Sequence, residues 1–253
     1  MTTVNPLLAI IIANLFISAI SLVGIFTIAF TMLRKKETTN FLVSLAAGVL
    51  LATAFLDIIP EALENSEAFP ILLLTMIGMI ISFLMERFLL WYHHHHEESH
   101  NLHPTALLVL FGDSVHNFID GLAIAASFMV NPALGVTTTI AVAAHEIPQE
   151  LANYGVLINS GMTRGKALLY NFISALTAVA GGVIGYYTFQ ESTALVPMAL
   201  ALTGGIFIYV ATADLIPELH TAQGKKHWFS QTMVFLLGIM LIYAIIVSLP
   251  EAH

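Results

Sequence analysis

Two stretches decide how this chain is read: FGDSVHNFIDGLAIA (Phe111–Ala125) and AVAAHEIPQELANYG (Ala141–Gly155), divided by an Asn131–Pro132 break. Each lies in an apolar run of helical length that carries groups foreign to hydrocarbon. The first holds Asp113, His116, Asn117 and Asp120, and the second holds His145, Glu146, Gln149, Glu150 and Asn153. An ionisable side chain at the centre of a bilayer costs at least about 2.5–3.5 kcal/mol, so such residues face a partner or a polar pathway. Two adjacent runs so equipped define a site. The rest of the chain reads as the scaffold around it.

That scaffold belongs in a membrane. Of 253 residues, 58% are hydrophobic and 9% are charged, where a soluble domain carries roughly 25% charged residues. The composition excludes an ordinary soluble enzyme, and a net charge of −8 offers no basic platform for nucleic acid. With no cysteine in the chain, disulfides, thiolate metal sites and dithiol redox chemistry are also excluded. The first apolar run lacks the basic flank of a cleaved signal peptide, so it is expected to persist as a span.

Eight apolar segments are drawn, each close to the roughly 20 residues that span a bilayer. They are Pro6–Met32, Phe41–Leu63, Pro70–Tyr92, Pro104–Val130, Pro132–Gly161, Ala167–Phe189, Ala194–Leu219 and Trp228–Leu249. Helices are expected in preference to a barrel, because the runs are long and lack period-two alternation. The expected orientation follows from the basic residues. Arg34, Lys35 and Lys36, then Arg87, then Arg164 and Lys166, then Lys225 and Lys226 all flank odd-numbered connections. Positive residues mark the cytoplasm, which leaves both termini on the non-cytoplasmic side.

The chain also repeats itself. LAAGVLLATAFLDIIPEA from Leu45 aligns without gaps to LTGGIFIYVATADLIPEL from Leu202, pairing Gly48 with Gly205, Asp57 with Asp214 and Pro60 with Pro217. FISAI at Phe16–Ile20 matches FISAL at Phe172–Leu176 at nearly the same offset. The second and seventh spans run in opposite directions, so spans 1–3 and 6–8 form an expected inverted repeat around spans 4 and 5. The fold class is thus all-α: a polytopic membrane protein with eight transmembrane helices in a 3+2+3 inverted-repeat arrangement, residues 1–253 forming one transmembrane domain. Transporters are commonly built this way, with the site near the midplane.

Helical spacing assembles the central chemistry. Residues four apart share a face, which aligns His116 with Asp120 and His145 with Gln149. Glu146 and Glu150 share a neighbouring face, and Pro148 frees the carbonyl of Ala144 as a ligand or kink point. Imidazole with carboxylate suits Zn²⁺, Fe²⁺ or Mn²⁺, and the lack of thiolate argues against copper(I). The expected metal set is His116, Asn117, Asp120, His145, Glu146, Gln149 and Glu150, with Asp113, Asn153, Asp57 and Asp214 along the path. Asn14, Ser18, Asn171 and Ser174 read as helix-packing residues. The run His93, His94, His95 and His96, in a His-rich loop at 93–103, is expected to act as a loose metal acceptor on the cytoplasmic side. HEIPQ at His145–Gln149 resembles HExxH, but the second histidine of that zinc-peptidase pattern is absent. An intramembrane metal-dependent hydrolase and a non-transporting metal sensor stand as alternatives.

At HNFIDGLAIAASF and HEIPQELANYGVL the chain resembles the ZIP family of divalent-metal transporters, with further likeness in MERFLLWYHHHH, NFISALTAV and GGIFIYVATADLIPEL. The resemblance implies a transport site on His116, Asn117, Asp120, His145, Glu146 and Gln149. It also implies metal moving from outside or a lumen into the cytoplasm, and a homodimer in the lipid bilayer of a plasma, inner or internal membrane. The divalent ion is then the substrate, and no cofactor is expected. The most similar subfamily reads HEIPHE followed by Gly-Asp, where this chain has Gln149 and Ala152–Asn153. Amide oxygen binds zinc more weakly than imidazole does, which widens the expected substrates to Fe²⁺ and Mn²⁺. Some members hold a second metal with a glutamate on the sixth helix; Ala178 stands at the matching position.

Overall fold

The computed structural model describes residues 5–30, 36–64, 66–95, 104–220 and 225–248, and every regular element among them is helical. In order these are α1 (Pro6–Phe30), α2 (Lys36–Thr53), α3 (Ile59–Glu64), α4 (Ala68–His95), α5 (Pro104–Val130) and α6 (Pro132–Asn159). They are followed by α7 (Arg164–Ala175), α8 (Thr177–Glu191), α9 (Leu195–Tyr209), α10 (Ile216–His220) and α11 (Lys225–Ser248). Five stretches among the described residues are long and apolar enough to cross a membrane: Asn40–Glu64, Ala68–Phe88, Arg164–Glu191, Leu195–Leu215 and Trp228–Ser248. Pro6–Ile20 is a shorter apolar helix. Helices α5 and α6 are as long, but their apolar runs are broken by the polar residues of the central site. The protein is an integral membrane protein.

Local sequence explains the joints. Asn131, extended at φ −156° and ψ 160°, caps α6 by accepting from the Leu134 N–H at 2.8 Å, and Pro132 supplies the first helical residue. The α5–α6 hairpin therefore turns on one residue, which holds the two polar helices side by side. Gly161, at φ +84°, closes α6 in the left-handed conformation that glycine alone adopts at no steric cost. A wide π turn at Ala54–Ile58 joins α2 to α3, and another at Val210–Leu215 joins α9 to α10. Proline explains both: the rings of Pro60 and Pro217 crowd the carbonyls of Leu56 and Ala213, four residues earlier, and the helix widens to accommodate them. At Pro148 no such widening occurs, and α6 stays α-helical throughout. Of the histidine run, His93–His95 extend the backbone of α4, while their side chains and His96 lie outside the described residues.

The aligned segments pack in matching ways. Helix α2 lies along α11, and α9 lies along α4. Gly48 sits against the backbone carbonyl of Phe235, and its counterpart Gly205 sits against that of Thr75; both approaches are too close for a Cβ. In return Gly238 meets the carbonyl of Leu45, and Gly78 that of Leu202, the residue aligned with Leu45. Small residues at such crossings let helix backbones touch where no hydrophobic force draws helices together. Helices α5 and α6 are held in the middle, α5 along α8 and α6 along α1 and α2. Ile10, Ile17, Leu50, Ile124, Leu134 and Phe207 form the buried apolar interior, while Leu72, Met76, Phe88, Leu237, Met240 and Tyr243 on α4 and α11 face outward. Gly205→Ala is expected to destabilise the purified protein by about 1–3 kcal/mol, since the obstacle is backbone. A lowered thermal unfolding midpoint in detergent checks this.

Candidate metal centre

Four side chains converge where α5 faces α6. His116 and Asp120 come from α5 and His145 and Glu146 from α6, and one ligand atom of each lies within 4.8 Å of all the others. His116 Nε2 is 3.2 Å from His145 Nε2 and 3.6 Å from both Asp120 Oδ2 and Glu146 Oε1. His145 Nε2 is 3.2 Å from Asp120 Oδ2 and 3.8 Å from Glu146 Oε1. A tetrahedral zinc site with arms of about 2.0–2.1 Å has edges of about 3.3–3.4 Å. The observed separations bracket that value, so a divalent ion fits between these atoms with small adjustments.

The surroundings point the same way. Nδ1 of His145 lies 2.9 Å from the carbonyl of Ala141, one turn back on its own helix. Donation there places the remaining lone pair on Nε2, the atom that faces the cluster, in the manner of metal-binding histidines. Phe207 of α9 packs edge-on to the same ring at 5.7 Å and walls the site. Asp120 Oδ2 and both carboxylate oxygens of Glu146 are buried without a well-formed hydrogen bond among the described residues. Buried carboxylate oxygens so placed are costly unless a cation or proton meets them.

The other expected residues are distributed around this centre. A cavity of about 360 Å³ extends from His116 and His145 past Gln149, Asp113 and Asn153, on the side of the site toward the C-terminal half of α4 and the N-terminal half of α5. Its far wall carries Glu86, Tyr209 and Asp214, and the Tyr209 hydroxyl donates to Glu86 at 2.5 Å. Gln149 lines this cavity together with His116 and His145. Asn117 is buried and donates to the Asp113 carbonyl at 3.1 Å. Glu150 is buried too, with Asn171 of α7 donating to its Oε2. Asp57 sits toward the opposite end, buried, and accepts from the Thr137 hydroxyl of α6. The repeat's two aspartates thus differ: Asp57 is sealed against α6, and Asp214 stands on the cavity wall.

Sequence reading passed over some of these contacts. Ser18 fits its expected packing role, donating to the Ala175 carbonyl at 3.0 Å. Asn171 and Ser174 also bond across helices, to the carboxylates of Glu150 and Asp113, and Thr137, Glu86 and Tyr209 carried no signal in the sequence because their partners are distant in the chain.

Fold and site define a polytopic helical membrane protein with a buried imidazole–carboxylate centre beside a cavity. The profile of the ZIP Zinc transporter family matches residues 4–106 and 92–246, and the chain belongs to that family. It is 40% identical over 149 residues to zinc transporter ZIP10 of Danio rerio, covering 55% of this chain and 18% of that protein. It is 38% identical over 149 residues to human zinc transporter ZIP6, covering 55% of this chain and 20% of the relative. To the metal cation symporter ZIP14 of Xenopus tropicalis it is 36% identical over 151 residues, covering 57% and 32%. The matched region is therefore a minor part of each of these relatives.

Two outcomes follow from the geometry. His145→Ala is expected to weaken zinc binding to the purified protein by more than about 100-fold, beyond the 10–100-fold typical of an outer partner, as read by calorimetric titration. Thr137→Val removes a buried donor from Asp57 and is expected to cost about 1–3 kcal/mol of stability, read as a lower unfolding midpoint, with Thr137→Ser closer to the parent.

Proposed function

We propose that this protein carries divalent first-row metal ions across a membrane, Zn²⁺ foremost and Fe²⁺ or Mn²⁺ as further substrates, from outside or a lumen into the cytoplasm. The observation that carries the reading is the four-atom His116–Asp120–His145–Glu146 cluster at the head of an open cavity. Two carboxylates offset the charge of a divalent ion as it loses water, which makes its entry into a low-dielectric bundle tolerable. Ligands spaced along the exit, Gln149, Asp113 and Asn153, then let the ion leave. The zinc transporters and the metal cation symporter among its relatives support the same assignment.

The proposed architecture is eight spans: α1, α2–α3, α4, α5, α6, α7–α8, α9–α10 and α11. The reciprocal glycine contacts and the two proline-linked π turns support an inverted repeat of three spans on each side of the α5–α6 pair. One transmembrane domain over residues 1–253, working as a homodimer, completes the proposal. Basic residues at Arg87, Arg164 and Lys166 flank the end where the cavity opens, so that end faces the cytoplasm and both termini lie on the other side. In this arrangement the molecule is open inward, and the buried Asp57–Thr137 contact belongs to the closed outer end. The His93–His96 run would receive ions leaving the cavity.

A hydrolytic centre needs three fixed ligands and an open position for water. Here four protein ligands surround one point, which favours carriage over catalysis. Uptake of Zn²⁺, Mn²⁺ and reduced Fe²⁺ into proteoliposomes tests the reading. Wild type is expected to take up zinc, His116→Ala to lose uptake, and Gln149→His to shift preference toward zinc. Metal binding without uptake would instead indicate a sensor.

A further inference from the structure

The polar face of α7 is the part of the structure that the transport reading leaves unused. Ser174 Oγ donates to Asp113 Oδ2 at 2.5 Å, and the other oxygen, Asp113 Oδ1, accepts from Asn153 of α6 at 2.8 Å. One carboxylate on α5 is thereby held by α6 and α7 together. One turn away, the Asn171 amide donates to Glu150 Oε2 and lies 3.4 Å from the Glu150 backbone carbonyl. That second contact ties the amide to the main chain of the residue whose side chain it grips, so the Glu150 rotamer is fixed. Thr177 continues the face by donating to the Ser114 carbonyl at 2.7 Å. Asp113, Glu150, Asn171 and Ser174 are each at most 4% exposed.

Two features separate this face from ordinary helix packing. Its targets are carboxylates, and its donors are neutral. A hydroxyl or an amide orients a carboxylate through a charge-assisted hydrogen bond without cancelling its charge, as a lysine or arginine would. Glu150 Oε1 is meanwhile buried with no hydrogen-bond partner, although Oε2 is gripped. One oxygen is held and the other has no hydrogen-bond partner among the described residues. Asp113 shows the complementary case: with both oxygens engaged it is a fastened wall of the cavity that His116 and His145 also line.

We propose that Asn171 and Ser174 are positioning residues for metal passage: they hold Glu150 and Asp113 so that ions leaving the His116–His145 centre meet carboxylate charge in a fixed geometry. The proposal rests on the transport reading. Their sequence setting, an apolar helix with FISA at Phe172–Ala175, gives no hint of this, because both target carboxylates lie on other helices.

The test uses the full chain in proteoliposomes, with zinc uptake measured per mole of inserted protein for wild type, Ser174→Ala, Ser174→Thr and Asn171→Ala. Ser174→Ala and Asn171→Ala are expected to raise the KM for zinc about 10-fold or more, as loss of an outer partner does at metal sites, with Ser174→Thr returning toward wild type. A purely structural role would lower the inserted amount or Vmax and leave KM alone. Unchanged KM in both alanine variants overturns the proposal. Should Asn171→Ala fail to insert, the Ser174→Ala and Ser174→Thr pair decides it. If wild type shows no uptake, the transport reading is what fails; calorimetric zinc titration of the same variants then decides, and unchanged affinity overturns the positioning role.

Discussion

The structure depends on one constraint: two carboxylates, Asp120 and Glu146, are buried in the middle of an apolar bundle beside two imidazoles. Isolated charges at that depth are prohibitive, and even an ion pair there recovers its desolvation only with good geometry. Everything around the centre supplies that geometry. The one-residue turn at Asn131 fixes α5 against α6, the Ala141 carbonyl aims the His145 ring, and Phe207 closes the wall. Imidazole beside carboxylate is a donor set suited to a first-row divalent cation, and a cavity adjoins it.

A second layer of polar contacts ties the central pair to the rest of the bundle. Asp113 joins α5, α6 and α7, Glu150 joins α6 to α7, and Asp57 joins the α2–α3 turn to α6. Apolar surface gives no preference between one helix neighbour and another in lipid, so these bonds, with the glycine crossings at Gly48 and Gly205, select the neighbours. The two aligned aspartates occupy different surroundings, Asp57 buried and Asp214 on the cavity wall.

The centre's residue types were legible from the sequence because each violates its setting. His116, Asp120, His145 and Glu146 stand out against hydrocarbon, and the i, i+4 rule puts the first two on one face. Asn171 and Ser174 were read as packing residues because small polar groups are common in membrane helices and bond locally; Ser174 does also approach the Asn171 carbonyl at 2.8 Å. Nothing in FISA distinguishes that local bond from one to Asp113. Gln149 shares the helical face of His145 and lines the same cavity, and Glu146, one residue from His145, reaches the cluster. Spacing along a helix gives a direction, and side-chain length and the facing helix choose the atom.

By itself the sequence determined that the chain is helical and lies in a membrane, that its halves share a repeated motif around a polar pair, and that the pair presents imidazole and carboxylate. Composition, periodicity and the cost of buried charge act locally, and local rules can be read along a chain. Only the tertiary structure decided which four atoms converge, which end of the site opens to a cavity, and which distant donors hold Asp113, Glu150 and Asp57. Those outcomes depend on the register and rotation of one helix against another. That register is set by glycine contacts and side-chain shape between residues as far apart as Asp57 and Thr137, which no local pattern encodes.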